Sequence, residues 1–180
     1  MRAGTQLLAA ATSALVLVLV AALLVASASA SATDTPRRPE CTITGTDGPD
    51  DLEGTNGRDV ICARGGRDTV TGRGGNDILF LGPGRDQFNA GQGDDEIYGG
   101  GGADIGMGWR GDDRILLQRG PDIIEDYVGV DLLSGGAGND WLAAYDGGSN
   151  DRIIGGPGRD HYCADAGDVV RSTEGVACMD

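Results

Sequence analysis

An aspartate returns every nine residues along most of this chain, and glycines and apolar residues are locked to the same phase. Counted from Gly45, units begin at 45, 54, 63, 72, 81, 90, 99, 108, 117, 126 and 135. After a two-residue slip at Ala144-Tyr145, two more begin at 146 and 155. The sixth position of all thirteen is Asp: Asp50, Asp59, Asp68, Asp77, Asp86, Asp95, Asp104, Asp113, Asp122, Asp131, Asp140, Asp151 and Asp160. The fourth is Gly everywhere but at Ser149. The eighth is apolar or aromatic everywhere but at Gly106. No single unit can bury enough apolar surface to fold alone, so a period this strict predicts neighbours that stack into a solenoid.

Within a unit, positions one to six are mostly Gly, Asp, Asn and Arg, as in Gly54-Thr55-Asn56-Gly57-Arg58-Asp59. That composition predicts a tight turn, because glycine tolerates positive φ. Positions seven to nine, such as Ile78-Leu79-Phe80, predict a very short strand. Side chains alternate along a strand, so the eighth positions are expected to form the core. The fold expected is all-β, with two units per coil and a stack on the order of 30 Å long at the ~4.8 Å strand spacing.

Stacking repeats the aspartate from coil to coil, and superposed carboxylates repel. Of the 28 acidic residues, 23 are Asp and five are Glu, whereas a merely solubilising surface mixes the two. Short carboxylates beside a carbonyl-rich turn form an oxygen-only donor set, which suits Ca2+ better than zinc or magnesium. The net charge of -14 leaves no basic stripe for phosphates, which argues against nucleic acid as a partner.

Residues 45–163 resemble the RTX, or hemolysin-type, calcium-binding repeat, G-G-x-G-x-D-x-U-x with U apolar. The best matches are Gly99-Gly100-Gly101-Gly102-Ala103-Asp104, Gly135-Gly136-Ala137-Gly138-Asn139-Asp140-Trp141-Leu142 and Gly155-Gly156-Pro157-Gly158-Arg159-Asp160. The resemblance implies a right-handed parallel β-roll, a β-solenoid of about thirteen nonapeptides, that holds several Ca2+ ions between stacked turns. Carried onto this chain, the ligands are Asp50, Asp59, Asp68, Asp77, Asp86, Asp95, Asp104, Asp113, Asp140, Asp151 and Asp160. The accompanying turn glycines are Gly54, Gly57, Gly72, Gly75, Gly99, Gly102, Gly135, Gly138, Gly155 and Gly158. The units starting at Leu117 and Asp126 lack the paired glycines, so they are expected to keep the coil with weak sites or none. The resemblance transfers calcium binding and fold, and it transfers no enzymatic activity.

The ends suggest an exported protein. Arg2, an apolar run around Leu15–Val20 and the small residues Ala26–Ala32 read as a signal peptide over 1–32. A cap segment (33–44), the repeat array (45–163) and a C-terminal cap (164–180) complete the expected layout. Removing the leader takes one Arg and no acid, moving the net charge from -14 to -15. Four cysteines allow three pairings. Cys41 and Cys62 lie at one end of the array and Cys163 and Cys178 at the other, so Cys41–Cys62 and Cys163–Cys178 are the expected bridges. Disulfides persist outside the cell.

Catalytic chemistry is hard to find. The single histidine, His161, sits in the last repeat, and the pairs Asp94-Asp95 and Asp112-Asp113 fall in the repeat phase. No Gly-Lys-Ser/Thr follows any glycine run. The outward positions gather Ile78, Phe80, Tyr98, Leu116, Leu132 and Ile154 on one sheet face, a candidate surface for a partner or a second copy. The expected protein is therefore a secreted, non-enzymatic calcium-binding β-roll. A small adhesin or scaffold is the alternative, and a polysaccharide-active β-helix enzyme a minor one.

Overall fold

The computed structural model describes residues 38–147, 150–172 and 174–178. The expected signal peptide and Ser149 lie outside them. The chain divides into two units at Arg38, and every described strand belongs to the second, Pro39–Asp180. Among the described residues no helix is long and apolar enough to cross a membrane.

Sixteen short strands succeed one another: β1 (Ile43–Thr44), β2 (Asp51–Glu53), β3 (Val60–Cys62), β4 (Thr69–Gly74), β5 (Ile78–Gly84), β6 (Gln87–Gln92), β7 (Glu96–Gly102) and β8 (Ile105–Arg110); then β9 (Arg114–Arg119), β10 (Ile123–Asp126), β11 (Leu132–Ser134), β12 (Trp141–Ala144), β13 (Arg152–Ile154), β14 (His161–Cys163), β15 (Val169–Arg171) and β16 (Val176–Ala177). Odd-numbered strands form one parallel sheet of eight and even-numbered strands the other. Each unit thus contributes one strand and the chain crosses to the opposite sheet at every turn. This is the all-β parallel β-solenoid that the nine-residue period predicts. Partners stand eighteen residues apart, as in Ile61↔Leu79, Leu79↔Ile97 and Ile97↔Ile115. The thirteen units supply β2 to β14, and one leading and two trailing strands extend the stack.

The core is wider than the eighth positions. Ile61, Leu79, Ile97, Ile115, Ile124, Leu133, Leu142 and Ile153 are fully buried, as expected, but so are Ala63, Leu81, Ala90, Leu117 and Ala144. These last five hold position one, which glycine-rich composition assigns to the turn. Strands such as β5 run on past position nine, and their alternation turns position one inward again. The register also relocates the slip. Ala144 pairs with Asp126 and is buried, so it holds position one, and the two extra residues fall in the next turn.

Gly106, the apolar exception, is explained by its neighbour. It pairs with Phe88, and a methyl group on Gly106 would collide with the Phe88 ring and carbonyl. The large side chain in one coil occupies the volume that the next coil leaves. In most units position two has positive φ, and Arg64, Arg73, Trp109 and Gln118 adopt it there without being glycine, at 76°, 77°, 90° and 73°. The unit at Leu117 therefore keeps its turn geometry without paired glycines, at a cost of about 1–2 kcal/mol.

Both ends are closed by the expected disulfides, Cys41–Cys62 and Cys163–Cys178. Ile43 pairs with Ile61, so Cys41 takes the place of the sixth-position aspartate in a leading unit. The six apolar residues of the expected partner face, Ile78, Phe80, Tyr98, Leu116, Leu132 and Ile154, lie on the odd-numbered sheet and are each half-buried. Phe80 and Tyr98 stack with ring centroids 5.0 Å apart. The exposed aromatic side chains Trp109, Tyr127, Trp141 and Tyr145, with Ile123, are on the other sheet and its turns.

Replacing Gly106 with Val forces a branched side chain into the volume held by Phe88. Thermal unfolding of the variant in calcium is expected to show a loss of about 1–3 kcal/mol, and an unchanged melting curve contradicts this packing.

Candidate metal sites

The sixth-position aspartates do not point at solvent. From Asp59 to Asp160 all are at most 7% exposed. Each backbone amide donates to Oδ1 of the equivalent aspartate one coil on: Asp59 to Asp77, Asp68 to Asp86, Asp77 to Asp95 and Asp86 to Asp104, at 2.7–2.9 Å. The same bond links Asp50 to Asp68 and Asp95 to Asp113. It continues unbroken through Asp104–Asp122, Asp122–Asp140, Asp113–Asp131 and Asp131–Asp151. It ends with Asp140–Asp160 and Asp151–Asp168. Two columns result, one along each edge of the roll. Asp122 and Asp131, set aside on sequence grounds, stand in them like the rest. Asp168, beyond the last full repeat, ends one column.

The second oxygen of each carboxylate sorts the sites. Asp50 Oδ2 accepts the Thr46 amide at 2.5 Å and its hydroxyl at 3.0 Å; Asp59 Oδ2 accepts the Thr55 amide at 2.7 Å and its hydroxyl at 2.9 Å. Those two are satisfied from within their own turns. In the interior of the stack the donors run out. Oδ2 of Asp68, Asp77, Asp86, Asp95, Asp104, Asp113, Asp122, Asp126, Asp140 and Asp151 is buried without a hydrogen-bond partner. Unpartnered buried carboxylate oxygens are costly, and several kcal/mol attach to an uncompensated buried charge. The described ion pairs, Arg73–Glu53 and Arg114–Glu96, involve other acids.

The turn glycines make room for this arrangement. A methyl group on Gly99 would lie 3.0 Å from Asp104 Oδ2 and 2.8 Å from the Leu117 carbonyl oxygen of the next coil. Gly54 and Gly72 meet the same pair of groups, and Gly135 and Gly155 meet Asp140 and Asp160 of their own units. At position four, Gly75 packs on Gly57 one coil before, Gly102 on Gly84, Gly138 on Gly120 and Gly158 on Gly138, too closely for any side chain. Where position one is glycine, a carboxylate oxygen, in several turns with a carbonyl of the next coil, thus approaches the space a side chain would fill. An oxygen-only set with orphaned anionic members fits a hard cation.

Electrostatics agree. Burial pushes Asp95, Asp122 and Asp131 up to about 7, Asp104 and Asp126 to about 6 and Asp113 to about 8, and carboxylate neighbours add to the effect. Asp77, Asp86, Asp140 and Asp151 are raised for the same reason. Asp59 moves the other way because the Thr55 amide stabilises its charge.

The remaining acids are outside these columns. Asp94 and Asp112 sit at position five on the exposed side, where Asp94 Oδ1 accepts the Asp112 amide at 3.0 Å. In Asp94-Asp95 and Asp112-Asp113 one carboxylate is therefore exposed and the other buried. His161 stacks on Trp141 at 5.7 Å.

A parallel β-roll whose stacked turns carry orphaned carboxylate oxygens defines a repeat protein built to hold cations between its coils. The family model for the RTX calcium-binding nonapeptide repeat matches residues 44–79, 80–115, 110–142 and 143–170, and the chain belongs to that family. No curated protein and no solved structure matches the chain.

The raised carboxylates set a pH dependence. Below about pH 4 they are protonated in folded and unfolded chains alike and cost nothing. As pH rises to about 8 the unfolded chain ionises freely while the metal-free fold resists, so the metal-free fold loses stability across that window. Melts of chelated protein are expected to show greater resistance at pH 5 than at pH 8, with calcium reversing the order. A metal-free fold that gains stability toward pH 8 contradicts the burial argument.

Proposed function

We propose that the chain is an exported protein that folds when extracellular calcium enters its stacked turns, with no catalytic activity of its own. The observation that carries the reading is the set of buried aspartate oxygens that lack any donor. Asp68, Asp77, Asp86, Asp95, Asp104, Asp113, Asp122, Asp140 and Asp151, with the glycine-lined carbonyls, would hold the ions. Bound calcium supplies the positive charge that neighbouring coils lack. Superposed carboxylates ~4.8 Å apart repel by about 3 kcal/mol per pair at an effective dielectric near 20, and that repulsion opposes stacking until it is neutralised. Binding to the folded chain alone then adds stability with every site filled. The signal-like N-terminal sequence and the two disulfides support an oxidising, calcium-rich location. Extracellular modules bind at ~10⁻⁴–10⁻³ M, which keeps such a chain loose where calcium is scarce.

Circular dichroism of the oxidised, leader-free protein tests this. Near pH 8, where the carboxylates are ionised, chelation is expected to abolish the β-type spectrum except for residual order at the stapled ends, and millimolar calcium to restore it. A spectrum indifferent to thorough chelation sinks the reading.

A second reading, docking of a partner or second copy on the odd-numbered sheet, is favoured by the continuous column Phe80, Tyr98 and Leu116. Sedimentation in calcium is expected to show reversible dimers that Phe80→Ser weakens. A strictly monomeric species at high concentration removes it.

A further inference from the structure

Asp126 is an acid outside the sixth-position columns that nevertheless points into the roll. It ends β10 at position one, and along that edge the same position is Gly54, Gly72, Ala90, Gly108 and Ala144 in the other coils. Its side chain enters space that its neighbours leave, and it is 1% exposed. Its Oδ1 accepts the Trp109 and Tyr127 amides, each at 2.9 Å, which fixes the carboxylate in place. Its Oδ2 has no partner, and neither has Oδ2 of Asp113, which is 2% exposed. A methyl group on Gly108 would lie 2.5 Å from Asp126 Oδ2 and would also strike Asp113 Oδ2, so both orphaned oxygens converge over one glycine. Asp131, 3% exposed, completes a group in which one carboxylate oxygen from each of the three residues lies within 4.8 Å of the others. Its Oδ1 accepts the Asp113 amide at 2.8 Å, tying the two coils together at this point.

The geometry points to a calcium site of its own, built from Asp113, Asp126 and Asp131. Three side-chain carboxylates meet here, where a repeat turn offers its sixth-position acids and backbone carbonyls. The position-one glycine that the repeat pattern calls for is replaced by the third acid, so the unit that departs from that pattern has gained a ligand. More anionic ligands on rigid supports tighten a Ca2+ site. This inference rests on the repeat-wide calcium reading for the identity of the ion, and on Asp126 alone for the site.

The test compares wild type with Asp126→Gly, which restores the repeat residue, and Asp126→Asn, which keeps the shape. Calcium titration of the oxidised full-length chain by calorimetry is paired with terbium luminescence excited through tryptophan. Trp109, whose amide binds Asp126, is the expected donor. Both variants are expected to bind one ion fewer, or that ion about tenfold more weakly, and to lose most of the sensitised emission, while the remaining sites titrate as before. Asp77→Asn, in another coil, is expected to leave the emission intact. Variants that match wild type in stoichiometry, affinity and emission overturn this site and leave the repeat sites standing. A wild-type chain that takes up no calcium overturns both.

Discussion

The hydrogen bond from each repeat aspartate's amide to the carboxylate of its counterpart in the next coil sets the architecture. It fixes the coil-to-coil spacing along both edges and draws the sixth-position side chains from Asp68 onward into the interior. It uses one oxygen only. In the interior coils the other is buried with no protein donor in reach, beside a turn glycine in units such as those of Gly72, Gly99, Gly108 and Gly135. The stack is therefore geometrically complete and electrostatically incomplete. Threonine at position two resolves that tension in the first two units, through Thr46 and Thr55, and the interior coils have no equivalent donor.

Much of this was legible in the residues. A nine-residue period with an apolar eighth position dictates a strand per unit and a two-sheet solenoid, and cysteines placed at the two ends foretell which pairs close. Composition misled at position one. Glycine there suggests a turn, yet Leu81 and Leu117 show an inward-facing site, because each strand continues beyond its ninth residue. Whether that position carries a leucine, an alanine or nothing depends on how neighbouring coils share volume, and Phe88 over Gly106 obeys the same logic. Such compensation acts between residues eighteen apart, and no single unit contains it.

The acidic site shows a different limit. The unit beginning at Asp126 looks degenerate by its missing glycines, and by that criterion Asp122 and Asp131 drop out as well. The backbone ladder restores both, since it needs only the amide and carboxylate of the sixth residue. Asp126 itself has no signature in the period. Its meaning emerges only when β10 is laid over β8 and its side chain is found above Gly108, beside Asp113.

The terminal strands carry one more implication. A parallel stack exposes unpaired amides and carbonyls at top and bottom, a template on which further chains could add indefinitely. Here the edge strands of the two sheets are two or three residues long, Ile43–Thr44 and Asp51–Glu53 at one end and Val169–Arg171 and Val176–Ala177 at the other, and a cystine pins the first and the last of them to the coil beneath. Rungs so short offer an incoming chain little to zip onto, so the same repetition that builds the molecule is kept from turning it into a filament.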